Sequence, residues 1–206
     1  MAVDFFSFLG LPRKLNLDAA DLERRYRTLS REFHPDFFYN APPAERRASL
    51  ERSSYLNDAY RTLRQPVARV EYLLNLEGVG ARTAEEAAQK VPPALLEEVF
   101  TLNEELDAVR DLRASGAPAG EWRQRLEHAR EPIEAKRAGH ESQLGALSAR
   151  WDALVDAGAP ATERAPVLAA LRERVLERNY INNLLATITR ELEAANAEPG
   201  TLNPER

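Results

Sequence analysis

The feature that most constrains this chain is the spacing of its apolar residues, which is helical almost everywhere. Leu22, Tyr26, Leu29 and Phe33 fall at i, i+4, i+7 and i+11 and make one stripe on a helix of about four turns. No run of alternating β-branched residues competes with that pattern, and only 9 of 206 residues are glycine. The spacing therefore predicts an all-α protein. With 44% hydrophobic and 30% charged residues, such a chain can bury a core. Its length suits one large domain or two small ones.

The pattern divides into segments. Residues 4–9 form a short first helix, ended by Gly10 and Pro12. Asp18 is the N-cap of the second, with Asp21 three residues on. The face opposite its apolar stripe carries Arg24, Arg25, Arg27 and Arg31, and Pro35 stops it, because the residue before a proline avoids the α region. Residues 34–43 are a loop holding three prolines. A third helix spans roughly Ala44 to Leu63, with Leu56, Ala59, Tyr60 and Leu63 on its apolar side, extended by Leu50. A short fourth runs through Val67, Val70, Tyr72, Leu73 and Leu74. The stretch 79–93 reads as a linker between a domain at 1–78 and another at 94–206. The second domain holds helices at about 94–113, 121–155 and 162–196, joined by short loops, which favours an antiparallel three-helix bundle. Pro132 implies a kink or break in the middle one, Pro166 sits near the first turn of the last, and the tail after 197 is expected to fray.

Charge and composition remove whole classes of function. The net charge is −5 and the pI about 5.4, a poor basis for neutralising nucleic-acid phosphates. Residues 1–78 carry 12 Lys/Arg against 11 Asp/Glu, and 79–206 carry 16 against 22; the acidic excess of the second half reads as solvated helix faces. With no cysteine there is no disulfide, thiolate metal site or cysteine nucleophile. No apolar run nears the ~18 residues of a membrane span, and the N-terminus has no basic leader, so the expectation is a soluble cytoplasmic protein. No carboxylate pair, nucleophile–base set or phosphate-cradling glycine loop is visible, which speaks against an enzyme. His128 and His140 lack metal-ligand spacing and read as structural or exposed; no cofactor or metal is expected.

One constellation carries information. His34-Pro35-Asp36 sits in the loop between two antiparallel helices, framed by DFFSFLGLP at the N-terminus, the Tyr26–Phe33 stripe, and Asn57-Asp58-Ala59-Tyr60 at the end of the next helix. Pro35 fixes the direction of the chain, so His34 and Asp36 lie at a rigid corner, available for hydrogen bonds across an interface. Four arginines on the preceding helix offer long-range attraction for an acidic partner. This set resembles the J domain, a helical hairpin with two short flanking helices that stimulates ATP hydrolysis by DnaK-type chaperones. The resemblance implies that His34, Pro35, Asp36, Arg24, Arg25, Arg27 and Arg31 meet the chaperone, and that ATP is held and cleaved by the partner.

Beyond Pro66 the run PVARVEYLL, and then LLEEVFTLNEELD from Leu95 to Asp107, resemble the HscB family of co-chaperones for iron–sulfur cluster assembly. That resemblance implies an HscA-like ATPase and the scaffold protein IscU as partners. It places Leu96 and Phe100, with Tyr180 in the segment NYINNL, on an apolar client-binding patch. Leu96 and Phe100 share a stripe with Asn103 and Asp107 that turns polar quickly, so surface placement is expected for both. Leu95, Val99, Leu102 and Leu106 make the better core seam. The alternative function is a J-domain adaptor for a different client. Such a chain can also self-associate, which light scattering would settle.

Overall fold

In the computed structural model, residues 3–80 and 92–197 are described. Most of the expected linker at 79–93 and the tail after residue 197 lie outside them. Among the described residues seven α-helices follow one another: α1 (Phe5–Phe8), α2 (Ala19–Glu32), α3 (Pro43–Arg64), α4 (Pro66–Leu76), α5 (Leu96–Ala114), α6 (Ala119–Asp156) and α7 (Ala161–Ala197). Short 3₁₀ turns at Pro35–Phe38 and Pro93–Leu95 precede α3 and α5. The protein is all-α: no strand occurs among the described residues.

Local chemistry sets the helix ends. Asp4 caps α1 by accepting from the Ser7 amide at 3.0 Å, and Asp18 caps α2 by accepting from the Ala20 amide at 2.8 Å. Gly10 turns the chain out of α1 at φ +65°, where a Cβ would be strained and would lie 3.0 Å from Arg25 Nη1. Pro43 and Pro66 open α3 and α4, where the missing N–H costs nothing.

The chain packs as two compact units. The first joins Met1–Ala81 to Leu144–Val175. Its core holds Phe6, Leu9, Leu15, Leu22, Leu56, Ala59, Leu63, Val70, Leu73 and Leu74 from the N-terminal helices, together with Leu144 and Trp151 of α6 and Val167, Leu168, Leu171 and Val175 of α7. The unit thus extends past residue 78 to take in the connected ends of α6 and α7, because their apolar residues share this core. Polar contacts reinforce it. The Asp152 carboxylate accepts from the backbone amides of Leu15 (2.6 Å) and Asn16 (2.8 Å) and from the Asn16 side chain (2.9 Å). The Trp151 indole N–H donates to the Arg13 carbonyl at 2.8 Å. Arg69, buried, donates to the carbonyls of Leu63 (2.7 Å) and Leu15, and its burial draws the guanidinium below the ordinary arginine value against the pull of Asp152.

The second unit joins Arg82–Gln143 to Leu176–Arg206. Here α5 and the adjoining parts of α6 and α7 bury Leu95, Leu102, Val109, Trp122, Leu126, Ala129, Ile133, Ile181 and Ile188. Arg113 lies 4.4 Å over the Trp122 ring and pairs with Glu191 at 2.9 Å.

Two expectations change. Of the kink or break expected at Pro132, the break does not occur: α6 runs on through it, and the proline is exposed, so water can serve the carbonyl it leaves without a donor. Leu50 does not extend the apolar side of α3: it is exposed, and Ser49 takes the inward position instead.

Candidate functional site

The corner at residues 34–36 is built by three restraints. Tyr26 stacks on Tyr60 with centroids 4.2 Å apart and donates its hydroxyl to Asn57 Oδ1 at 2.9 Å, clamping α2 to α3. Phe33, the C-cap of α2, packs 5.9 Å from Phe8 and lies under the Arg52 guanidinium at 5.7 Å. The Phe33 carbonyl, one of the orphaned acceptors at a helix C-terminus, accepts from the buried hydroxyl of Ser49 at 2.8 Å. The chain then enters the Pro35–Phe38 turn with His34 extended at φ −63°, ψ 127°.

The side chains at this corner face water: His34 is 49% and Asp36 86% exposed. His34 Nδ1 accepts from the Asp36 amide at 3.3 Å in the neutral ring, and the Asp36 carboxylate lies 3.5 Å from the same nitrogen. A ring that accepts there carries its proton on Nε2, which leaves one donor pointing outward beside an exposed carboxylate. The His34 ring also makes an edge contact with Phe37, centroids 6.1 Å apart.

Arg24, Arg27 and Arg31 line one shallow groove on α2 with Ala20, Glu23 and Thr28. Arg24 pairs with Asp21, Arg27 with Glu23 at 2.5 Å, and Arg31 makes no ion pair among the described residues. Such exposed pairs contribute little, so the guanidinium groups can exchange partners at an interface. Arg25 departs from that set. It donates to the carbonyls of Leu9 (3.2 Å) and Gly10 (2.7 Å) and pairs with Asp21 at 2.9 Å, so it fastens the turn after α1.

On the second unit, Leu96 (43% exposed) and Phe100 (66% exposed) stand one turn apart on α5, while Leu95 and Leu102 are buried and Val99 and Leu106 half-buried. Surface placement and the core seam both follow the amphipathic reading. Tyr180 is half-buried and packs against the second core. His128 is exposed and His140 buried. Among the described residues no three metal-ligating side chains converge, and no helix is long and apolar enough to cross a membrane.

Sequence reading missed Ser49, whose position on α3 gave no signal by itself, and the Trp151–Asp152 pair, which sits where periodicity reads only as helix.

Comparison with known proteins agrees with this geometry. The DnaJ domain model matches residues 4–72. The Co-chaperone protein HscB homolog of Bordetella petrii is 41% identical over 110 residues, which span 53% of this chain and 64% of that relative, somewhat under two thirds of its length. Chaperone HscB from Vibrio cholerae superposes with a TM-score of 0.67 at 25% identity, covering 93% of this chain and 99% of that one. The human co-chaperone protein HscB superposes with a TM-score of 0.61 at 24% identity, covering 93% and 83%.

Proposed function

We propose that the protein is a co-chaperone that stimulates the ATPase of an HscA/DnaK-type chaperone and delivers an IscU-type iron–sulfur scaffold to it. The observation that carries this reading is the exposed His34-Pro35-Asp36 corner at the end of a cationic helix groove, in a chain similar to proteins named HscB.

The corner presents a donor, a carboxylate and a fixed backbone direction, and none of them needs to move a proton. Nucleotide is bound and cleaved by the partner. The co-chaperone biases a conformational equilibrium in that partner by binding one state better than another. Arg24, Arg27 and Arg31 speed encounter with an acidic face, and Arg25 supports them from within the fold. Recruitment is assigned to residues 1–78 and client binding to 94–206. Leu96 and Phe100 form the centre of the client face, with Tyr180 contributing from α7. An exposed aromatic beside an exposed leucine is the kind of group that dominates interface energetics. The site of action is the cytoplasm.

Titration of an IscU-type scaffold into the full chain tests the client half of the proposal. Saturable binding that weakens with Phe100→Ala supports it. An intact J domain with no scaffold binding would instead favour an adaptor for a different client.

A further inference from the structure

Two aromatic side chains stand in water immediately after the corner: Phe37 is 75% and Tyr39 78% exposed, while Phe38 between them is half-buried. Burying the ring of Phe37 or Tyr39 would cost the fold nothing further, since neither contributes to either core. Two large exposed aromatics within three residues of one another, next to the exposed corner, give an approaching surface apolar area to cover. Phe37 is also fixed to the corner. Its ring makes an edge contact with His34, and its backbone amide donates to the His34 carbonyl at 3.0 Å. A protein that grips His34 and Asp36 must cover Phe37 as well, because the three lie on a single 3₁₀ turn and its cap.

We propose that Phe37 and Tyr39 are specificity-determining anchors for the ATPase partner, inserting into an apolar recess on the chaperone next to the groups that receive His34 and Asp36. This rests on the co-chaperone reading above and adds a division of labour to it. The cations of α2 act at long range and set the encounter rate; the aromatics act at contact and set residence. Arg31, exposed and without an ion pair among the described residues, stands one turn before His34 and links the two zones. A second copy of this chain is the competing occupant, and the test separates the two.

The experiment is steady-state ATP hydrolysis by the HscA-type and DnaK-type chaperones of the same organism, each purified, against increasing concentrations of the full chain. The variants are Phe37→Ser, Tyr39→Ser and the pair. Both positions are exposed, so the helical content should match wild type; Phe37→Leu and Tyr39→Phe keep the apolar bulk. The expected result is that each serine variant raises the half-saturating concentration by roughly tenfold with an unchanged plateau, while the conservative variants stay within about threefold. The shift is expected to be larger with the chaperone that the wild type prefers. Unchanged half-saturation overturns the proposal and leaves the co-chaperone reading standing. A lowered plateau at unchanged half-saturation also overturns it, because the aromatics would then act in activation. Wild-type dimers by light scattering that the serine variants dissolve, with no change in half-saturation, would assign the patch to a second copy and overturn it. Failure of the wild-type chain to stimulate either chaperone would remove the co-chaperone reading, and this proposal with it.

Discussion

The buried hydroxyl of Ser49 donates to the carbonyl of Phe33, the C-cap of α2 immediately before the exposed corner at His34. A helix end that stops at a proline leaves its final carbonyls without donors, and here α3 supplies one. Ser49→Ala leaves that carbonyl buried and unpaired, at a cost of about 1–3 kcal/mol in chemical denaturation. Because the bond fixes where the chain leaves α2, ATPase stimulation is expected to fall by more than the unfolded fraction accounts for. A loss of stimulation that tracks unfolding alone would reduce Ser49 to a core residue.

Asp152 accepts three hydrogen bonds from the 15–16 loop, 136 and 137 residues away in sequence. Asp152→Ala is expected to destabilise the first unit by about 2–4 kcal/mol, since two backbone amides lose a charged acceptor. Amide hydrogen exchange at Leu15 and Asn16 is the direct reading: both should exchange faster, while amides in the middle of α5 keep their protection. Asp152→Asn retains one acceptor and should fall between.

Asp4 gives the fold an acid limb. Burial would raise its carboxyl pKa, but the Ser7 amide and the Arg13 guanidinium, 2.8 Å away, outweigh that and hold it below the ordinary carboxylate value of 3.8. A depressed folded-state pKa stabilises the fold above the unfolded value, and that contribution disappears as pH falls through the folded one. Stability should therefore drop below about pH 4, and Asp4→Asn should flatten that limb while its side-chain oxygen still caps α1 by accepting from the Ser7 amide. An unchanged acid limb in the variant would show that other carboxylates carry it.

Neighbours on α5 should behave in opposite ways. Leu102 is 2% exposed and Phe100 66%. Leu102→Ala is expected to cost about 2–5 kcal/mol by leaving a cavity. Phe100→Ala should stay within about 0.5 kcal/mol in stability and yet weaken scaffold binding measurably. A large thermal shift from Phe100→Ala would mean that the residue packs in solution as core.

Much of the fold was legible because its elements are set locally. The Leu22–Phe33 stripe, the Asp18 cap and the stop at Pro35 each depend on residues within a few turns. The corner at 34–36 was legible for the same reason, since Pro35 constrains its own neighbours. What escaped was decided at long range. Nothing in the helical periodicity of 121–155 marks Trp151 and Asp152 as partners of residues 13–16, because a buried indole and a half-buried carboxylate look the same in sequence whatever they meet. Arg25 looked like its neighbours Arg24 and Arg27, and only the position of the Leu9 and Gly10 carbonyls separates it from them. Leu50 read as core by spacing, but the inward place beside Phe33 needed a hydroxyl, and Ser49 provides it.

The central claim is that an exposed three-residue corner makes a partner hydrolyse ATP faster. Its most direct test is the steady-state ATPase rate of the HscA-type chaperone with wild-type chain and with His34→Gln at matched, saturating concentrations. The expected outcome is clear stimulation by the wild type and none by the variant, whose helical content and thermal midpoint stay unchanged because His34 lies outside both cores. Full stimulation by a folded His34→Gln chain would contradict the account.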